Sequence, residues 1–292
     1  MRIKNHYLVT TAHLESGLWF VQEEDFPIGM NYVAIQAFCS NISIEAFILM
    51  SNHVHFILYG KNSSVNDFIN GFKCRYSKYL RQKYGQKEFL RKNDVDIQTI
   101  YEEKESLERA IAYVQMNCVA ANICSHPTQY LWGTGNAFFN TMPLTGDLLG
   151  EMSFRRIRNL LRSSNQTLPS EWIINGYGFI DPRSFVDVES VESLYRTPQR
   201  MNYFLNSSSK AKRILTTDDN RPTFRDQIIT SASSDIISSL FRKTNFLELT
   251  EKEKTEYLRQ LKFRFCANIN QMARITGMTY GEVTRLLDNV TT

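Results

Sequence analysis

Two β-prone runs lie only two residues apart in this chain. Ser43–Met50 (SIEAFILM) is rich in Ile and Phe, His53 to Tyr59 (HVHFILY) returns before Gly60, and Ser51-Asn52 between them is a plausible turn. Strands joined this tightly pair as antiparallel neighbours. Around them the periodicity alternates. Tyr7, Val9 and Thr11 alternate with Leu8, Thr10 and Ala12 in a first strand, and Glu24 to Cys39 follows as a helix ended by Ser40 and Asn41. Ser64 with Asp67 opens a second helix that runs to about Tyr84, Val95, Ile97 and Thr99 form a short strand, and Glu103 to about Asn122 is a third helix. Strand, helix, two strands, helix, strand, helix predicts an α+β domain with a mainly antiparallel sheet, ending near Gly135.

Composition removes several classes. Apolar residues at 42% and charged residues at 22% are those of a folded globular chain, and 13 Gly with 7 Pro exclude collagen-like and low-complexity sequences. No run approaches 18 apolar residues, and MRIKNHYLVTTAH has no apolar core followed by a small-residue cleavage site, so a soluble cytoplasmic protein without a membrane segment is expected. Five scattered Cys without a CxxC pair indicate neither a disulfide framework nor a cysteine zinc site. They read as reduced, mostly packing thiols. At 292 residues the chain is long enough for more than one domain, and no internal repeat is evident. The expected division is 1–135, a connecting region 136–220 with basic helices, and a helical domain 221–292.

The net charge of +4 is too small to argue for a nucleic-acid partner, but its distribution is uneven. Between Gly71 and Lys92 eight basic residues, among them Lys73, Arg75, Lys78 and Arg81, face one acid, Glu88, and Phe72, Tyr76, Tyr79 and Tyr84 interleave with them. Such a surface can hold phosphates and stack bases; it reads equally as the solvated face of an amphipathic helix.

Two patterns carry chemistry. His53 and His55, at i and i+2 on the second strand of the hairpin, place both imidazoles on one face, while Val54 and Phe56 turn to the core. A pair of this kind needs a third ligand to hold a metal. On the third helix, Leu107, Ala110, Ile111, Val114 and Cys118 share one face, the buried one. Tyr113 and Asn117 stand one turn apart at the edge of that stripe, at about 240° and 280° from Leu107. A phenol at such a border can reach a cleft, though an interfacial Tyr with a bonded hydroxyl is the commoner fate.

In order along residues 1 to 135, "HYLVTTAH", "MSNHVHFIL", "FKCRYSKYL", "AYVQMNCVAANI" and "HPTQYLWGTG" resemble the signature segments of the single-tyrosine HUH transposases, and more closely of the REP-associated tyrosine transposases. The resemblance implies a ferredoxin-like HUH nuclease domain, with His53, His55 and Asn117 as metal ligands and Tyr113 as the nucleophile; Tyr101 and Tyr76 are alternative nucleophiles, but neither has an Asn or Gln four residues on in a matching motif. It implies Mg²⁺ or Mn²⁺, zinc being less suited, a 5′-phosphotyrosine intermediate, and single-stranded hairpin DNA as partner. Lys73, Arg75, Lys78 and Arg81 of the basic helix would contact that DNA. Cys118, Ala120 and Asn122 stand where the family usually has Pro, a basic residue and Gly. Those departures, with the helix-turn-helix described next, motivate the alternative of a domesticated, catalytically silent hairpin-binding regulator. The oligomeric state, monomer or dimer, stays open.

Beyond Gly135, "SFRRIRNLLRS" is a short basic helix, the run from Glu192 to Arg213 adds further basic and aromatic residues, and Thr216 to Asn220 reads as a linker. Asn268 to Leu287 places Ala273, Gly277 and Val283 at the close-approach, turn and packing positions of a helix-turn-helix spanning about 268–288. In a DNA-binding version Thr279, Tyr280, Thr284 and Arg285 face the groove. Gly281 weakens that helix by about 1 kcal/mol relative to Ala, so docking must help hold it.

Overall fold

The computed structural model describes residues 4–14, 17–85, 93–101, 105–163, 168–208 and 224–288. Its contacts divide into two compact units. The first comprises residues 1–12, 24–49 and 54–216, the second 13–23, 50–53 and 217–292.

The first unit is built on a four-stranded sheet. Its elements are β1 (Asn5–Thr11), α1 (Asp25–Ser40), β2 (Ser43–Met50), β3 (His53–Gly60), α2 (Asn62–Tyr84) and β4 (Val95–Ile100), and the strands run in the order β2-β3-β1-β4. This βαββαβ chain with split strand order is the ferredoxin-like arrangement, within an α+β fold that also carries a helical C-terminal region. Central β1 pairs antiparallel with both neighbours, bringing Thr10 opposite His55 and His6 opposite Tyr59. The strand alternation is visible in the packing. Phe56 of β3 meets Phe68 and Phe72 of α2 with ring centroids 5.0 and 5.7 Å apart, so α2 covers the face opposite His55. His53 and His55 are themselves buried, at 6% and 1% exposure, so the polar face expected for them is covered as well.

Asp25, fully buried at the start of α1, ties that helix to the end of α2. Its carboxylate accepts from Tyr79 Oη (2.6 Å), Lys83 Nζ (2.7 Å) and Tyr84 Oη (2.9 Å). Helix α2 then stops at Gly85, whose φ of 66° suits a residue without Cβ.

The third helix is shorter than its periodicity suggests. Helix α3 (Ser106–Gln115) breaks at Met116, and one further turn, α4 (Asn117–Ala120), follows. Asn117 accounts for the break. Its Nδ2 donates to the carbonyls of Tyr113 (3.0 Å) and Val114 (3.1 Å), competing with the backbone ladder at that point. After α4 the chain runs beside β2, where Leu49 N–H donates to Trp132 O and Thr134 N–H to Phe47 O. Gly133 is required there, because a Cβ would lie 2.7 Å from Phe47 O. A two-stranded pair, β5 (Asp147–Leu148) and β6 (Ile173–Ile174), the basic helix α5 (Phe154–Leu161), and helices α6 (Val188–Tyr195) and α7 (Pro198–Ser207) complete the unit. Tyr195 donates to Glu108 O (2.6 Å) and Arg200 to Glu108 (3.1 Å), which fixes α3 against them. The expected linker at Thr216 to Asn220 lies outside the described residues.

Among the described residues the second unit holds four α-helices: α8 (Asp226–Phe241), α9 (Glu251–Phe265), α10 (Ile269–Thr276) and α11 (Tyr280–Asp288). Ile229, Ile237, Leu258, Leu261, Ala273 and Val283 are among its core residues. Reciprocal caps start three of these helices, Thr250 with Glu253 at α9, Asn268 with Gln271 at α10 and Thr279 with Glu282 at α11. Gly277, at φ 73°, makes the turn between α10 and α11 that its place in the sequence demanded. Residues 13–23 join this unit. Trp19 and Phe20 donate backbone N–H bonds to Ser51 O (2.8 and 3.2 Å), Gln227 Nε2 donates to Phe20 O (2.7 Å), and Arg225 pairs with Glu23 (2.7 Å).

Candidate metal and tyrosine site

Strand β3 sets the core of the site. His53 and His55 leave it on the same side, two residues apart, and each ring is oriented through Nδ1. His53 Nδ1 pairs with Asn52 Oδ1 at 2.8 Å and His55 Nδ1 with Thr10 Oγ1 at 2.9 Å. The amide oxygen can only accept, so Nδ1 is the donor in this bond, and in the neutral ring Nε2 is then the lone-pair nitrogen, the tautomer of a metal-ligating histidine.

A third imidazole completes the cluster. His13 stacks on His53 with ring centroids 3.6 Å apart, and His13, His53 and His55 offer ring nitrogens that all lie within 4.8 Å of one another. The sequence argument missed His13. Its signal was present in "HYLVTTAH": with Thr10 opposite His55, the residues just past β1 must run alongside His53. The segment is secured by a reciprocal pair, Leu14 N–H to Asn52 O (3.1 Å) and Asn52 Nδ2 to Leu14 O (2.8 Å). Three imidazoles make a donor set that could hold a divalent metal ion, and among the described residues no carboxylate belongs to it.

Tyr113 lies beside this cluster. Its half-buried ring meets that of His55 nearly perpendicularly, at 86° and 5.9 Å between centroids. The edge-of-stripe position on α3 explains this: Ile111, Ala112 and Val114 are buried as the docking face while Tyr113 turns toward the strand. Asn117, itself buried, points its amide nitrogen back at Tyr113 O, so it braces the turn that carries the phenol. The other two tyrosines weighed above are placed differently. Tyr76 is fully buried against Phe72, where burial and then the nearby Asp25 push its phenol well above the usual value, and Tyr101 is exposed at 72%.

The basic stretch does not form one continuous free surface. Lys73 is buried and donates to Asn93 O, Arg75 donates to Gln36 Oε1 (3.0 Å), and Lys83 serves Asp25. Burial lowers the Lys73 pKa, with Asp94 opposing the shift. Lys78 and Arg81 are exposed, on the helix that covers the opposite face of the sheet from His55. In the second unit, Thr279 Oγ1 donates to Glu282 (2.8 Å), Thr284 Oγ1 to Tyr280 O (3.0 Å), and Arg285 pairs with Glu251 (3.2 Å), while Tyr280 is 45% exposed.

No helix of the described residues is long and apolar enough to cross a membrane. No curated protein matches the chain. A solved structure described as a REP-associated tyrosine transposase bound to a REP hairpin aligns with 50% of this chain and 89% of its own length, at 12% identity and a TM-score of 0.37. Residues 31–115, which contain His53, His55 and Tyr113 but neither His13 nor Asn117, match the family described as "Transposase IS200 like".

Proposed function

We propose that this chain is a divalent-metal-dependent DNA strand-cleaving and strand-transferring enzyme that acts on single-stranded hairpin DNA through Tyr113. The observation that carries the reading is the Tyr113 ring set against His55, beside a cluster of three imidazoles. His13, His53 and His55 would hold the ion. When bound, it neutralises charge on a phosphodiester oxygen and makes phosphorus more electrophilic. Nitrogen donors without a carboxylate favour Mn²⁺ over Mg²⁺.

The remaining chemistry belongs to the chain. The Tyr113 hydroxyl gives up its proton and its oxygen attacks phosphorus in line, forming a Tyr–O–P bond as the P–O3′ bond breaks, and the leaving 3′ oxygen takes up a proton. The product is a 5′-phosphotyrosine with a free 3′-hydroxyl. Because the phosphoester bond energy is kept in that link, a 3′-hydroxyl can attack it and rejoin strands without a nucleotide cofactor. Asn117 braces the turn beneath Tyr113, and Thr10 and Asn52 fix the two β3 rings. Lys78, Arg81, Tyr280 and Arg285 are exposed groups suited to contact nucleic acid; Lys73, Arg75, Thr279 and Thr284 contribute through the bonds that shape those elements.

The test uses end-labelled hairpin DNA with a single-stranded flank. Strand cleavage is expected with Mn²⁺, abolished by EDTA and by His53→Ala or His55→Ala. Tight hairpin binding with no cleavage at any divalent ion tested would overturn the enzyme and leave the silent regulator.

A further inference from the structure

An open cavity of about 420 Å³ in the first unit has Gln129, Asn136, Asn175, Tyr177 and Arg183 in its lining. The volume is that of a small-ligand pocket, and every lining residue lies beyond residues 31–115. Tyr177 supplies a flat wall. Its ring is 65% exposed yet supported from the core: it stacks on Phe179 at 21° and 6.3 Å between centroids, Phe179 packs on Trp132 at 5.8 Å, and Trp132 stacks on Phe26 at 4.9 Å. Asn175 pins the turn beneath it, its Oδ1 accepting from Tyr177 N–H (3.0 Å) and Phe179 N–H (3.4 Å).

The polar lining presents one kind of group. A backbone N–H can only donate, so a side-chain amide that accepts from one is oriented by it and has its nitrogen left over. Asn175 is oriented in this way, and so is Gln129, whose Oε1 accepts from Ser125 N–H (3.0 Å) and His126 N–H (3.4 Å). Asn140 takes Met142 N–H on its Oδ1 (2.9 Å) and offers Nδ2 to Asn136 Oδ1 (3.4 Å). Arg183 is held through Nε by Asp181 (3.3 Å) and through Nη1 by Met142 O (2.6 Å). Among the described residues, Gln129 Nε2, Asn136 Nδ2, Asn175 Nδ2 and Arg183 Nη2 donate to no other group.

We propose that this cavity holds one unpaired base of a single DNA strand, stacked on Tyr177 and read by the surrounding N–H groups. That the ligand is a base of DNA rests on the function proposed above. A base offers a flat face to the phenol ring, and such stacking tolerates any sequence. The donors add selection. Guanine presents two adjacent acceptors, N7 and O6, whereas adenine and cytosine carry an exocyclic amino group that would meet an N–H head on, and thymine sets a donor between its two carbonyls. The pocket therefore suits guanine. Because Asp181 pairs with Arg183, the cavity has no free cation to select a phosphate instead.

The test is fluorescence anisotropy of the full-length protein, in EDTA, with labelled single-stranded oligo(dA) carrying one central dG, dT, dC or dA. The dG strand should bind about tenfold more tightly than the all-dA strand. Tyr177→Ala should weaken dG binding about tenfold and bring the four strands to one affinity. Asn175→Asp keeps an acceptor for the Tyr177 and Phe179 N–H groups but puts oxygen where the free N–H₂ was, so it should lower the dG preference at an unchanged melting temperature. Equal binding of the four strands, binding of none, or a dG preference untouched by either substitution would overturn the proposal. Cleavage of hairpin DNA with Mn²⁺ is scored separately. A dG preference without cleavage removes the nuclease and leaves the pocket; cleavage without a base preference removes the pocket alone.

Discussion

At the scale of single residues, the site depends on groups that never need to touch substrate. Thr10 Oγ1 bonds His55 Nδ1 and thereby sets the ring plane from which Nε2 projects. Partners of this kind are worth about 10- to 100-fold in metal affinity elsewhere. Thr10→Val keeps shape and β-propensity but loses the hydroxyl, so Mn²⁺ affinity measured by electron paramagnetic resonance should fall about tenfold with little change in melting temperature. Unchanged affinity would mean that the ring is held by packing alone. Asp25 shows the opposite case, a charged residue whose work is structural. Asp25→Ala leaves the Tyr79 and Tyr84 hydroxyls and the Lys83 ammonium without their shared acceptor. Denaturant titration should record a loss of about 3 kcal/mol, as for other broken buried pairs. A loss below about 1 kcal/mol would place the cluster with surface pairs.

At the scale of elements, most strands and helices could be read directly from the chain because periodicity is a local property. The strand pair Ser43–Met50 and His53–Gly60 stands where its two-residue link put it, and the alternation of β3 points Phe56 and His55 to opposite faces. What escaped was set by distant partners. Lys73 and Arg75 look like free cations until Asn93 and Gln36 are folded against them, and the helix over Glu103 to Asn122 looks continuous until Asn117 folds back on Tyr113. His13 closes the segment HYLVTTAH, but no spacing links it to His53, and only the register between β1 and β3 and the bonds to Asn52 bring it there. Capping residues, by contrast, can be tested locally. The Lys243 hydrogen bond, followed by those from Thr250 at the start of α9, holds Glu253 at about 2, below its usual value of 4.5. A carboxyl depressed in the folded state adds stability above the unfolded value, and that stability is lost as pH falls from 4.5 towards 2. Thermal melts across that window should therefore show a shallower acid decline in Glu253→Gln than in the wild type, and salt should reduce the difference because the group is partly exposed. Parallel declines would contradict the assignment.

At the scale of the whole molecule, the units defined by contacts do not follow the order of the sequence. Residues 13–23 and 50–53 belong with the C-terminal helices, and the bonds from Gln227 to Phe20 O and from Arg225 to Glu23 lie within that unit. The segment bearing His13 is thus stabilised by residues more than two hundred positions along the chain. The proposed chemistry makes one claim on which the others rest: that the Tyr113 phenol is the group that bonds to DNA phosphorus. The direct measurement is mass spectrometry of the protein digested with protease and nuclease after incubation with Mn²⁺ and hairpin DNA. The account predicts a nucleotide phosphate on Tyr113, absent in Tyr113→Phe. A covalent nucleotide on another residue, or an undiminished adduct in Tyr113→Phe, would contradict it.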